Sequence, residues 1–304
     1  EGYSVWKTDM VRKTGPFSLP FHNITRRLPG PGEPGPLVSV IVLARDRPAR
    51  LTDALRSVAG QTYANVEIVV VNDGGAEISD GVQALAGEIP VTCIAPVRRG
   101  RAAAANAGLR AARGAYLNFL DEDAVFLPDH VETLVSGLIS THSKVAYSNT
   151  AKVYTSGWED RIKTEAPLKR TFDRRRLFFE NYISTISVLF SREVPAETGG
   201  FDEQMKRFGD WDFWIRVSRR LSFLHVNKLT AKYRVYDPGG VRPAGRMKPF
   251  VAGKSWVGFV MERCLAGFRR TPCATRVRAA WTGLRKAAAV FTARLAQRLG
   301  RRHG

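Results

Sequence analysis

The sequence predicts an α/β protein with a mainly parallel central sheet, followed by a basic amphipathic helical tail. Three observations predict this class. Largely apolar runs occur at "LVSVIVLA", "VEIVVV" and "AYLNFL", the first two rich in β-branched residues, the pattern of strands covered on both faces. Stretches with helical spacing lie between them, and alternation of that kind builds parallel βαβ units. Finally, no Asp or Glu follows Glu262, while Arg and Lys recur to the end, which separates a basic tail from a body of more ordinary charge.

Residues 1–36 hold aromatics without a sustained period and close in "LPGPGEPGP", a composition that suits an arm or linker. A domain is predicted over residues 37–240. Strand "LVSVIVLA" opens it, and "RPARLTDALRSVAGQ" follows with Leu51, Ala54, Leu55 and Val58 at helical spacing. Then come the strand "VEIVVVNDGG", a helix-like "ISDGVQALAGE" and a short strand "VTCIAP", in which Cys93 is expected to be a buried small apolar residue. A helix from about Arg101 to Arg113 and the strand "AYLNFL" complete a first half, residues 37–125. In the second half, residues 126–240, "HVETLVSGLISTH" reads as a helix and "VAYSNTAKVY" as a strand. "RRRLFFENYISTISVLFSREV" mixes signals, "GDWDFWIRVSRR" is an aromatic-rich helix, and "HVNKLTAKYRVYD" gives one or two strands. Residues 241–304 form the tail. Within 274–302, Val277, Trp281, Leu284, Phe291 and Leu295 make an apolar stripe among arginines.

The chain of 304 residues is 44% hydrophobic, ordinary for a globular protein. Nothing reaches the roughly 18 uninterrupted apolar residues of a spanning helix, and no signal-peptide pattern opens it. Three scattered cysteines make neither a disulfide framework nor a zinc pattern, which favours a reducing cytoplasm. The net charge of +19 points to anionic partners. The tail is suited either to an anionic membrane surface or to docking on protein. Nucleic acid is excluded as a partner, because the basic residues are not interleaved with aromatics on a recognisable binding fold.

Ligands in such sheets sit beyond the carboxyl ends of the strands. Three of these ends carry polar tips: Ala44-Arg45-Asp46, Asn72-Asp73 and Asp121-Glu122-Asp123. Carboxylates side by side stay ionised when something positive joins them: a metal ion, an arginine or lysine, or otherwise water alone.

These stretches, in order with "RRGRAAAANAGLRAARGAYLNFLDED" and "GGFDEQMKRFGDWDFWIRVS", resemble the inverting glycosyltransferases of family 2, with the GT-A fold, over roughly residues 37–236. The resemblance implies transfer of a sugar from a nucleotide-diphosphate donor, with a UDP-sugar expected, to a hydroxyl of a polysaccharide or glycolipid. Residues 37–125 become the nucleotide-binding half and 126–240 the acceptor half. Asp121 and Asp123 match the D-x-D signature. Asp123 would bind Mg²⁺ or Mn²⁺ through the donor diphosphate, and Asp121 would face the ribose or the metal's water shell; Glu122 joins the donor set. Asp73 matches the aspartate that recognises the base, and Ala44, Arg45 and Asp46 the loop around base and ribose. Asp210 matches the general base, with Trp211 and Asp212 on the acceptor side. The sequence departs from the family pattern in three places. Ala105 stands where an arginine usually meets the diphosphate, and Arg99 or Arg101 would substitute; Ala124 and Tyr236 replace a usual aspartate and histidine. The reading with lost turnover is a non-catalytic nucleotide-sugar-binding or scaffold protein. The expected place is the cytoplasm, peripheral at the inner face of the membrane.

Overall fold

The computed structural model describes residues 35–45, 48–73, 81–94, 100–155, 171–236, 258–260 and 263. The arm before residue 35, Asp46, Arg99 and the tail stretch 274–302 lie outside them.

Strand β1 (Val38–Ala44) is buried along its whole length, as is β2 (Val66–Asn72). Helix α1 (Pro48–Ala59) joins them; α2 (Val82–Ala86), β3 (Val91–Ile94), α3 (Arg101–Ala111) and β4 (Tyr116–Asp121) follow. β1 lies between β2 and β4, parallel to both, and β3 pairs parallel with β2. Cys93 corrects the expectation made for it: it is exposed, because β3 is the edge strand and has a neighbour on one side only.

The second half is less regular. It comprises β5 (Ala124–Phe126), α4 (His130–Thr141), β6 (Val145–Thr155), α5 (Arg174–Phe179), a 3₁₀ turn at Thr185–Ser187, β7 (Val188–Ser191), α6 (Glu193–Thr198), α7 (Gly209–Ser218) and β8 (Leu224–Tyr236). The strand order is β3-β2-β1-β4-β7-β6-β8-β5. β7 runs antiparallel to β4 and β6, and β5 antiparallel to β8, so the sheet is mixed beyond β4.

That order forces a curl. Only Glu122 and Asp123 separate β4 from β5, yet β5 stands four places away in the sheet. Four strand spacings in a flat sheet would span roughly 19 Å, whereas three residue steps reach at most roughly 11 Å. The far edge therefore folds back towards β4, where β5 also packs against α1.

Side-chain alternation divides the core between the two faces of the sheet. Ile41 and Leu43 of β1 pack with α3 and α7, and Val38, Val40 and Val42 with α1 and α4. Gly108 permits the close approach of α3, because a Cβ there would come 2.3 Å from Ile41 Cγ2.

A polar chain crosses the second face. His130 is fully buried, with Nδ1 2.6 Å from Thr230 Oγ1, Nε2 2.9 Å from Asn118 Oδ1, and its ring stacked on Phe126 at 4.0 Å. Thr230 Oγ1 in turn meets Ser148 Oγ at 2.6 Å. Burial pushes the imidazole down to about 3, against a small opposing pull from Asp129. The unfolded chain therefore binds a proton near pH 6.5 that the folded chain refuses until about pH 3. Stability is complete above the unfolded value and falls as pH drops through that window. From this residue alone, unfolding free energy should fall by roughly 1.5 kcal/mol between pH 6.5 and 5. Urea titrations at the two pH values will measure it, and His130→Gln should flatten the slope.

Candidate active site

The register brings the polar tips together. Ala44 pairs with Asn72 and Leu43 with Asp121, so the tips of β2, β1 and β4 sit side by side at the carboxyl edge. Backbone bonds hold them: Asp73 N–H donates to Ala44 O at 2.8 Å, and Glu122 N–H to Leu43 O at 3.2 Å. The Glu122 carboxylate accepts from Arg45 N–H at 2.8 Å, so it pins the β1 tip as well as lining the cleft.

Two adjoining hollows open here. The first, about 380 Å³, is lined by Ala44, Arg45, Asp73, Arg101, Asp121, Glu122 and Asp123. The second, about 520 Å³, is lined by Arg50, Asn181, Thr185, Asp210, Tyr233 and Arg234 among others. Arg101, Asp121 and Asp123 line both and form the shared wall.

Arg101 Nη2 lies 2.5 Å from Asp121 Oδ1. Asp121 above all, then Asp210 and Asp123, raise the guanidinium's already high pKa, against the effect of burial. In the free protein the positive partner of the acidic turn is thus an arginine. Ala105 is buried in the core, and Arg101, one turn earlier on α3, is the residue of that helix that reaches the carboxylates.

In the first hollow, Asp73 Oδ1 is buried and has no hydrogen-bond partner among the described residues. Leaving a buried acceptor unmatched costs on the order of 1–3 kcal/mol, so this atom suits a ligand N–H. In the second, Asp210 Oδ2 accepts from Thr185 Oγ1 at 3.3 Å, and Thr185 Oγ1 accepts from Trp214 Nε1 at 3.3 Å. Thr185 sits in a stretch of mixed signals, and nothing in its sequence neighbourhood marks it.

Two expectations are corrected. Trp211 is fully buried, and its Nε1 donates to Leu177 O at 2.6 Å; it is a core residue with no surface to offer an acceptor. Asp212 is buried too, paired with Arg216 Nε at 2.9 Å and with Arg263 Nη1, so it braces α7 rather than facing the cleft. Asn106, for which the sequence predicts no role, joins the two halves. Its Nδ2 donates to Phe201 O at 2.9 Å and its Oδ1 accepts from Phe201 N–H at 2.8 Å, which ties the helix of Arg101 to the loop before Asp210.

Among the described residues no three His, Cys, Asp or Glu side chains group into a metal cage. Mg²⁺ and its like are held by one or two carboxylates, with substrate phosphates and water completing the shell. Asp121 and Asp123 fit that count.

A family model described as glycosyl transferase family 2 matches residues 39–194. An uncharacterized protein of Sinorhizobium fredii, y4gI, is 30% identical over 226 residues, covering 71% of this chain and 24% of its own length. An uncharacterized glycosyltransferase of Bacillus subtilis, YwdF, is 28% identical over 209 residues, covering 66% of this chain and 75% of its own. Among solved structures, S. aureus TarS 1–349 in complex with UDP-GlcNAc superposes with a TM-score of 0.53 at 16% identity, over 74% of this chain and 66% of that one. The same region of TarS is also known in complex with UDP, with a TM-score of 0.52 at 18% identity, over 66% of this chain and 60% of that one. The matched region thus spans about a quarter of y4gI and no more than two thirds of these TarS chains. The likeness to TarS shows the GT-A type of fold.

Proposed function

Because the chain belongs to glycosyl transferase family 2, we propose that it moves a sugar from a UDP-sugar to a hydroxyl of a polysaccharide or glycolipid, with inversion at the anomeric carbon. One observation carries this reading: Asp73, Asp121, Asp123 and Arg101 converge on a hollow that shares a wall with the one holding Asp210. The choice of UDP is supported by the complexes of TarS with UDP and UDP-GlcNAc and by the unmatched Asp73 acceptor, which can take the uracil N–H.

Arg45 and the β1 tip flank the base and ribose, and Arg101 exchanges part of its bond to Asp121 for a phosphate oxygen. Asp121 and Asp123 would hold Mg²⁺ or Mn²⁺, which when bound neutralises charge on the departing diphosphate. Asp210, positioned by Thr185, takes the proton of the acceptor hydroxyl as its oxygen attacks the anomeric carbon. The bond from that carbon to the diphosphate oxygen breaks on the opposite face, and its electron pair leaves with UDP. A single displacement of this kind inverts the configuration. Among the described residues no helix is long and apolar enough to cross a membrane; a peripheral position at the inner membrane face, reached through residues 274–302, is part of the proposal.

Calorimetric titration with UDP, GDP and ADP, each with and without Mn²⁺, tests the donor side. UDP should bind best and in a metal-dependent way, and Asp123→Ala should weaken it by roughly tenfold or more. Binding of none of the three would sink the donor assignment. Binding without product, across a panel of glycan and glycolipid acceptors, would leave the non-catalytic reading.

A further inference from the structure

Helix α5 presents a surface that the transfer reaction does not use. Phe178 and Phe179 are 39% and 45% exposed, the exposed large apolar side chains among the described residues, and their rings meet edge to face at 5.1 Å. Arg174, Arg175 and Arg176 precede them, all exposed. Arg176 pairs with Glu180 at 2.9 Å, while Arg174 and Arg175 hold their charge towards solvent.

This surface is held firmly. Leu177 is buried and its carbonyl accepts from Trp211. Asp173 caps the helix by accepting from the backbone N–H of Arg175 and Arg176. The exposure of the two rings is therefore built into the fold. Single exposed apolar residues need no explanation, but a contiguous apolar pair with a basic flank marks an interaction surface. Aromatic rings beside the exposed Arg174 and Arg175 match the boundary of an anionic bilayer, where rings enter the acyl edge and cations meet the headgroups.

The position is as informative as the chemistry. Two residues after Phe179, Asn181 becomes wall of the hollow that holds Asp210, a backbone distance of roughly 7 Å at most. We propose that Phe178 and Phe179, flanked by Arg174 and Arg175, seat the mouth of the Asp210 hollow on an anionic lipid surface. The inference deepens the proposed function, since it rests on that hollow being the acceptor side: the acceptor is then presented from the membrane plane.

The test uses the full chain and vesicles of phosphatidylcholine alone or with one third phosphatidylglycerol, at low salt. Wild type should sediment with the anionic vesicles and stay in solution with the neutral ones. Phe178→Ser/Phe179→Ser should lower partition by roughly tenfold or more, and Arg174→Gln/Arg175→Gln by roughly fivefold per arginine. The basic tail is common to all three proteins, so a difference among them belongs to α5. Equal sedimentation of wild type and the Phe variant overturns the proposal, as does wild type that ignores anionic vesicles or instead binds a soluble glycan polymer through these rings. UDP titration of the same samples judges the donor reading separately, and it should be unchanged by either variant.

Discussion

Asp210→Asn is expected to lower sugar transfer by roughly 10²–10⁴-fold while leaving UDP affinity within about twofold. The amide keeps the size and the Thr185 contact of the carboxylate (3.3 Å) but cannot take a proton from the acceptor. The loss should therefore appear in kcat, because an interaction made only in the transition state has been removed. Asp210 lines the second hollow and not the first, which is why donor binding should survive. A variant that still transfers at a tenth of the wild-type rate would place the base elsewhere. Thr185→Val should give a smaller fall in the same direction, since it leaves the carboxylate in place but loosens it.

Two residues along, loss of a carboxylate should have the opposite profile. Asp212→Ala is expected to cost about 3 kcal/mol of stability, at the lower end for breaking a buried ion pair. Asp212 is buried against Arg216 and Arg263, and Arg216 continues to the carbonyls of Thr198 and Gly200 at 2.7 and 2.6 Å. Removing the carboxylate leaves two guanidinium groups crowded at the end of α7 without a counter-charge. Urea unfolding should show the midpoint drop, and transfer per folded molecule should fall far less than for Asp210→Asn. A variant as stable as wild type would mean that the arginines find solvent without cost.

The contrast shows what could be read from the chain alone. The buried strands β1, β2 and β4 declare themselves by continuous apolar runs, and their polar tips follow directly. The meeting of those tips then needs only the parallel pairing. α7 was legible as a helix but not by face: seven of its ten residues are buried, so spacing could not separate the cleft side from the core side, and Trp211 and Asp212 were placed on the wrong one. Thr185 and Asn106 act through partners 25 and 95 residues away, which no local pattern encodes. β5 was missed because three residues after an acidic turn carry no period. The Arg101–Asp121 pair lay between these cases. The carboxylates demanded a cation and the arginine was in view, but only the fold brings the start of α3 to the end of β4.

The turn that carries the carboxylates is also the strap that closes the curled sheet. Arg234 N–H of β8 donates to Asp123 O at 2.9 Å, and Ala124 and Phe126 are buried where β5 begins. One extra residue between Leu120 and Ala124 would reverse the facing of β5, turning both side chains out of the core while displacing the acids. Length is therefore not a free variable at this position. Loops elsewhere around the cleft can lengthen to suit a new acceptor, but the two-residue span of Glu122 and Asp123 is a measured distance, set by the circumference of the sheet.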